Sequence, residues 1–142
     1  MNIKLMRSSS KVPAYAKEDD AGFDLNADIT EELLLFPNEI VAVPTGICIE
    51  LPSGYTGMVV PRSGQAKRGL TVANAPGIVD AGYRGEILVL AHNISGEILT
   101  ILPGERIAQL VIVDCWRVNF EVVDELSNSE RNTSGFGSSG LK

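Results

Sequence analysis

The sequence predicts an all-β domain, a sandwich or barrel carrying one short helix. Short apolar or alternating runs recur at close spacing along the chain, Pro, Gly or Asn stands between them, and only one segment reads as a helix. The runs fall at 3–6, 32–36, 40–43, 47–51, 57–60, 70–73, 86–91, 98–102, 107–113 and 120–123. Runs this short suit strands, because a core helix needs about ten or more residues of sustained period. The helical segment is 63–68, Ser-Gly-Gln-Ala-Lys-Arg, with Ser63 as the expected N-cap and Gly69 closing it. It is too short to form core. Its opening N–H groups, preceded by Arg62, make it a candidate anion site.

A chain of 142 residues with 44% hydrophobic and 21% charged residues has the length and composition of one globular unit. Its net charge of −6 and pI near 4.7 argue against nucleic acid or an anionic membrane as partner. An anionic ligand must therefore meet a local cluster of donors. No apolar run approaches the ~18 residues of a spanning helix, and residues 1–12 show no apolar signal region, so a soluble cytoplasmic protein is expected.

With one histidine and two distant cysteines, a structural zinc site lacks its ligands. Cys48 and Cys115 both read as buried small hydrophobes, and His92 as a structural residue at a strand end. Ser-His and Cys-His nucleophile schemes then lose their base. Carboxylates and a substrate-borne metal are what remain for chemistry.

The composition changes at Ser127. The last 16 residues hold five Ser, three Gly, two Asn and one Thr, so residues 1–126 are expected to form the domain and 127–142 a flexible arm. Within that arm Gly135-Phe-Gly137 offers backbone donors and a flat ring, suited to folding over a ligand.

Five segments carry polar or glycine residues that a bare β fold does not require: 21–27 around Asp24, 61–66 around Arg62, 77–86 around Asp80, 104–110 around Gln109, and Arg131 with 135–140. Singly, Asp24 reads as a strand-edge charge, Arg106 as a solvated one, and Asp80 with Gly82 as an ordinary turn. Together and in this order, they resemble the motif set of the trimeric dUTPase family over nearly the whole chain. Three positions depart from that pattern: Gln65 where Leu is usual, Asn132 where Gly is frequent, and Ser139 where Thr is common.

The resemblance implies a jelly-roll-like β-barrel or sandwich, a homotrimer with shared active sites, and Mg²⁺-dependent hydrolysis of dUTP to dUMP and pyrophosphate. It implies Asp80 as the general base for a water attacking the α-phosphorus, with Gln109 near that water. Asp24 would hold the waters of a substrate-borne Mg²⁺. Arg62, Ser63 and Gly64 would cradle phosphates. Asn74 and the backbone at Gly77 and Val79 would receive uracil, with Tyr83 under the deoxyribose. Arg131 would meet the γ-phosphate, Phe136 would stack on uracil, and Gly137 and Ser138 would close the lid. Two rivals stand beside this reading: a dCTP deaminase of the same fold, and a non-catalytic regulatory protein built on it.

Overall fold

The computed structural model describes residues 3–7 and 12–129. The elements in chain order are β1 (Lys4–Arg7), β2 (Gly22–Asn26), β3 (Leu33–Leu35), β4 (Ile40–Pro44), β5 (Ile47–Glu50), β6 (Tyr55–Val60), α1 (Ser63–Lys67), β7 (Leu70–Val72), β8 (Gly77–Val79), β9 (Leu88–Asn93), β10 (Leu99–Ile101) and β11 (Arg106–Asp114). The expected all-β class with one short helix holds, and the architecture is that of a jelly roll.

Every strand pairing among the described residues is antiparallel. One sheet has four strands in the order β2-β11-β6-β8, another has three in the order β4-β9-β7, and β1-β5 and β10-β3 form two-stranded ribbons. Both larger sheets bury one face. Along β6 and β9 the alternation puts Gly57, Val59, Val89 and Ala91 inward while their neighbours are more exposed. Leu25, Leu35, Leu70, Ile101, Leu110, Val43 and Val89 are sealed from solvent at the centre. Each such side chain contributes about 1.5–3 kcal/mol of transfer free energy.

The sequence reading misses β2 and β8 as strands. In β2 the alternation is short, Phe23 and Leu25 inside a polar setting, and in β8 only three residues pair with β6. Conversely, 120–123 forms no strand. Its residues have strand chemistry, but a strand needs a ladder partner and this segment meets none among the described residues.

Two smaller expectations are also corrected. Ser63 is the first helical residue rather than the cap: Arg62 holds the extended cap position and makes no side-chain capping bond. Cys115 is exposed rather than buried, because the chain has left the sheet at Asp114, and Cys48 is only half-buried on β5, the partner of the edge strand β1.

Candidate active site

The candidate residues that fall in described segments form two groups on the four-stranded sheet. The first gathers where β2, β11 and the turn after β6 meet. The register sets Asp24 opposite Gln109, and Gln109 opposite Val60, so Arg62 and Ser63 follow directly beside them. Asp24, Arg62, Ser63, Gly64 and Gln109 line one cavity of about 440 Å³ together with Asp20 and Gly22.

Asp24 is the electrostatic centre of this group. Its Oδ1 lies 2.6 Å from Arg62 Nε, and its Oδ2 lies 3.4 Å from Arg106. Arg106 was expected to be a solvated charge; here it helps to orient the carboxylate. The sequence carries no signal for this, because the pairing of β11 with β2 is what brings Arg106 to Asp24. Gln109 donates from Nε2 to the Pro61 carbonyl at 3.1 Å, which leaves its amide oxygen as an available acceptor. Gly22 gives that oxygen room, because a Cβ there would stand 3.2 Å from it and 3.0 Å from Val111 Cγ2.

Behind the cradle lies a set of bonds that the sequence reading did not anticipate. Gln65, buried on α1, donates to Glu105 Oε1 at 2.9 Å and to the Arg106 carbonyl at 2.7 Å, and accepts from Arg68 Nε at 2.5 Å. Arg68 also pairs with Glu105 at 2.6 Å. Gln65 thus carries an amide whose donors and acceptor are all used. This ties α1 to the start of β11.

The second group surrounds β8 and the turn that follows it. Asn74, Gly77, Val79, Asp80 and Tyr83 line a cavity of about 260 Å³ whose wall includes Val59, Ile87 and Leu90. Gly77 admits Asn74 closely: a Cβ at 77 would lie 3.1 Å from Asn74 Nδ2. Asp80 is exposed at the mouth, and its carbonyl accepts from the Tyr83 N–H at 3.0 Å. The turn is pinned by Arg84, which donates from one nitrogen to the carbonyls of Ala81 and Tyr83, 2.7 Å each. Its base is pinned by Glu86, whose Oε1 accepts from the Thr45 and Gly46 N–H groups at 3.1 and 2.7 Å.

The two groups do not meet. Their cavities share no lining residue. Asp80 follows Val79, which pairs with Gly57, whereas Asp24 connects through Gln109 to Val60. Three strand spacings of about 4.8 Å across and about four residues of 3.3 Å along place Asp80 and Asp24 roughly 20 Å apart. Arg131, Phe136, Gly137 and Ser138 lie outside the described residues.

The donor set limits what metal could be held. Among the described residues, no group of three or more His, Cys, Asp or Glu is placed to bind an ion. Asp24 faces a guanidinium on each oxygen, yet a carboxylate has about four acceptor sites, so lone pairs remain for the water shell of an ion. The residues fit a hydrated cation delivered on a phosphate chain and do not form a protein cage. No helix among the described residues is long and apolar enough to cross a membrane.

Comparison with known proteins places this geometry in context. The dUTPase family model matches residues 8–140. The deoxyuridine 5'-triphosphate nucleotidohydrolase of Cytophaga hutchinsonii is 50% identical over 141 residues, spanning 98% of this chain and 92% of that protein. The fold superposes on the Staphylococcus bacteriophage 80alpha dUTPase solved with dUPNHPP at a TM-score of 0.85, 29% identity and 99% coverage of both chains. It also superposes on a dUTPase from phage phi11 of S. aureus, described with a structural Mg(II) ion, at a TM-score of 0.77 and 26% identity over 88% of this chain and 98% of that one.

Proposed function

The chain belongs to the dUTPase family, and from that premise we propose that it hydrolyses dUTP to dUMP and pyrophosphate at sites assembled from more than one copy of itself. The observation that carries the shared site is the separation of its two halves. A general base must lie within hydrogen-bond reach of the water it activates, about 3 Å, and that water must reach the α-phosphorus. Asp80 and the Arg62 cradle of one chain lie roughly 20 Å apart on the sheet, so they do not act on one phosphorus. The hairpin of one copy facing the cradle of another resolves this, and a homotrimer with three such sites is the proposed assembly.

The segment after β11 supports assembly independently. Trp116, Val118, Phe120 and Val122 alternate with Arg117, Asn119 and Glu121, and these four apolar side chains are 86%, 66%, 92% and 98% exposed. An alternating apolar face left bare on a single chain calls for a neighbouring copy.

Within the assembled site each residue has work suited to its chemistry. Asp80 takes a proton from the attacking water, and Gln109, held by Pro61, orients the α-phosphate end of the reaction with its amide. Arg62, Ser63 and Gly64 hold phosphate oxygens through a guanidinium, a hydroxyl and backbone N–H groups. Asn74 and the backbone of Gly77 and Val79 pair with the uracil edge, and a mismatched base leaves buried donors and acceptors unpaired, which makes the pocket selective. Tyr83 fills the space of a ribose 2′-OH. Arg131 contributes charge at the γ-phosphate, while Phe136, Gly137 and Ser138 cover the base and exclude water.

Mg²⁺ bound to the triphosphate would neutralise phosphate charge, and Asp24 would hold it through water. The two free cysteines, Cys48 and Cys115, accord with a reducing, cytoplasmic setting.

Incubation with dUTP and with dCTP separately, following pyrophosphate and ammonia, tests the reading. Pyrophosphate from dUTP and no ammonia from dCTP is expected. Ammonia from dCTP would instead mark a deaminase, and binding of dUTP without turnover would mark a regulatory protein.

A further inference from the structure

We infer that Gly85 sets sugar specificity by leaving the space in which Tyr83 lies, an inference that rests on Tyr83 facing the deoxyribose. Tyr83 folds back over its own turn, and its hydroxyl donates to the Glu86 carbonyl at 2.9 Å. That carbonyl belongs to a fixed frame. The Glu86 carboxylate receives the Thr45 and Gly46 N–H groups, and the buried Thr45 hydroxyl donates to the Ile87 carbonyl at 2.6 Å.

The ring's path from Tyr83 to Glu86 crosses Gly85. A Cβ at position 85 would overlap the Tyr83 hydroxyl and lie 2.7 Å from Cζ and 3.1 Å from Cε2. Gly85 does not have the positive φ found at Gly46, Gly54, Gly69 and Gly104, so its backbone accepts an L-residue and the need for glycine there is one of space.

All three obstructing atoms belong to the far end of one side chain. The backbone around that side chain is held by Arg84 on the Ala81 and Tyr83 carbonyls, so an added methyl displaces the ring and leaves the turn in place. Tyr83 is 45% exposed and has room to swing outward. Once swung out, it vacates the volume that refuses a 2′-OH.

The test compares kcat/KM for dUTP and UTP in the full-length protein. Gly85→Ala is expected to lower the dUTP/UTP ratio about tenfold, through a rise on UTP, with dUTP kcat within about twofold of wild type. Tyr83→Ala should lower the ratio in the same direction, and adding Gly85→Ala to it should change nothing further, because both act through one ring. Tyr83→Phe, which loses only the bond to Glu86, should lower the ratio about two- to fivefold.

An unchanged ratio in Gly85→Ala beside a relaxed Tyr83→Ala would overturn the inference, as would additive effects in the double variant. If Gly85→Ala does not fold, an unchanged ratio in Tyr83→Phe beside a relaxed Tyr83→Ala overturns it equally. A Tyr83→Ala protein with wild-type discrimination would show instead that Tyr83 does not face the sugar, and the inference would fall with that reading.

Discussion

The cluster around Asp24 and the pocket around Asp80 occupy opposite edges of one sheet, and they are built from different materials. At the first edge, long side chains cross-link one another: Arg62 and Arg106 on Asp24, Arg68 on Glu105, and Gln65 between helix and strand. At the second, the walls are buried Val59, Val79 and Ile87, and the polar anchors are mainly backbone groups taken up by Arg84 and Glu86. The first is thus a charged framework and the second a backbone mould whose shape depends on packing; on the proposed reading the one meets a polyphosphate and the other a base with its sugar.

The sharpest way to break the pocket's half of the chemistry is Asp80→Asn. It keeps the shape and hydrogen-bonding reach but accepts no proton, so turnover should fall about 10³-fold with dUTP binding largely retained. Stopped-assay turnover and calorimetric binding on the same preparation check both parts, and near-normal turnover removes Asp80 from the base role.

Mixing variants sharpens the comparison into a statement about assembly. Asp80→Asn damages only the pocket and Arg62→Ala only the cradle, and each alone should be inactive. Refolded together in equal amounts, three-quarters of random trimers are mixed and each mixed ring has one intact site in three, so activity should return to about a quarter of wild type. Mixed trimers that contain both chains and stay inactive exclude a site shared between pocket and cradle of different copies.

A smaller effect is expected from Gln65→Ala. It leaves the part-buried Arg106 carbonyl without its amide donor and should cost about 1 kcal/mol by denaturant unfolding, with KM for dUTP rising more than kcat falls. An equal fall in kcat with unchanged KM would show that Gln65 does not act on the cradle.

Least of all should follow from the Lys4–Glu50 pair on the β1-β5 ribbon, 3.0 Å apart and exposed. Lys4, by its hydrogen bond and charge, holds the Glu50 carboxyl below the usual carboxylate range. A carboxyl depressed in the folded state adds stability above its unfolded value and loses it as pH falls through the folded one. Lys4→Ala should therefore slightly reduce the difference in melting temperature between neutral pH and pH below about 4, the range in which carboxylates protonate, with no effect on activity.

Sequence legibility follows the same division. Strands with continuous apolar runs, such as β9 and β11, can be read because burial is written into each residue. β8 cannot, since its three residues become a strand only by pairing with β6. The two groups of candidate residues are visible as motifs, but their distance is not, because it depends on strand order. Arg106 and Gln65 show a further limit: a charge and an amide read as surface and misfit become structural once β11 is laid beside β2 and α1. The run 120–123 is legible as strand chemistry, while no partner for it lies among the described residues.

On the shared-site reading, two half-sites at opposite edges of one sheet also make catalysis a matter of mass action. A newly made chain is then silent until it assembles, and where the trimer is the active form the hydrolysis rate well below the assembly constant rises with the cube of chain concentration. Expression level then acts as a threshold. A cell that doubles a scarce supply of this chain gains far more than twice the activity, and one that dilutes it by growth loses activity just as steeply.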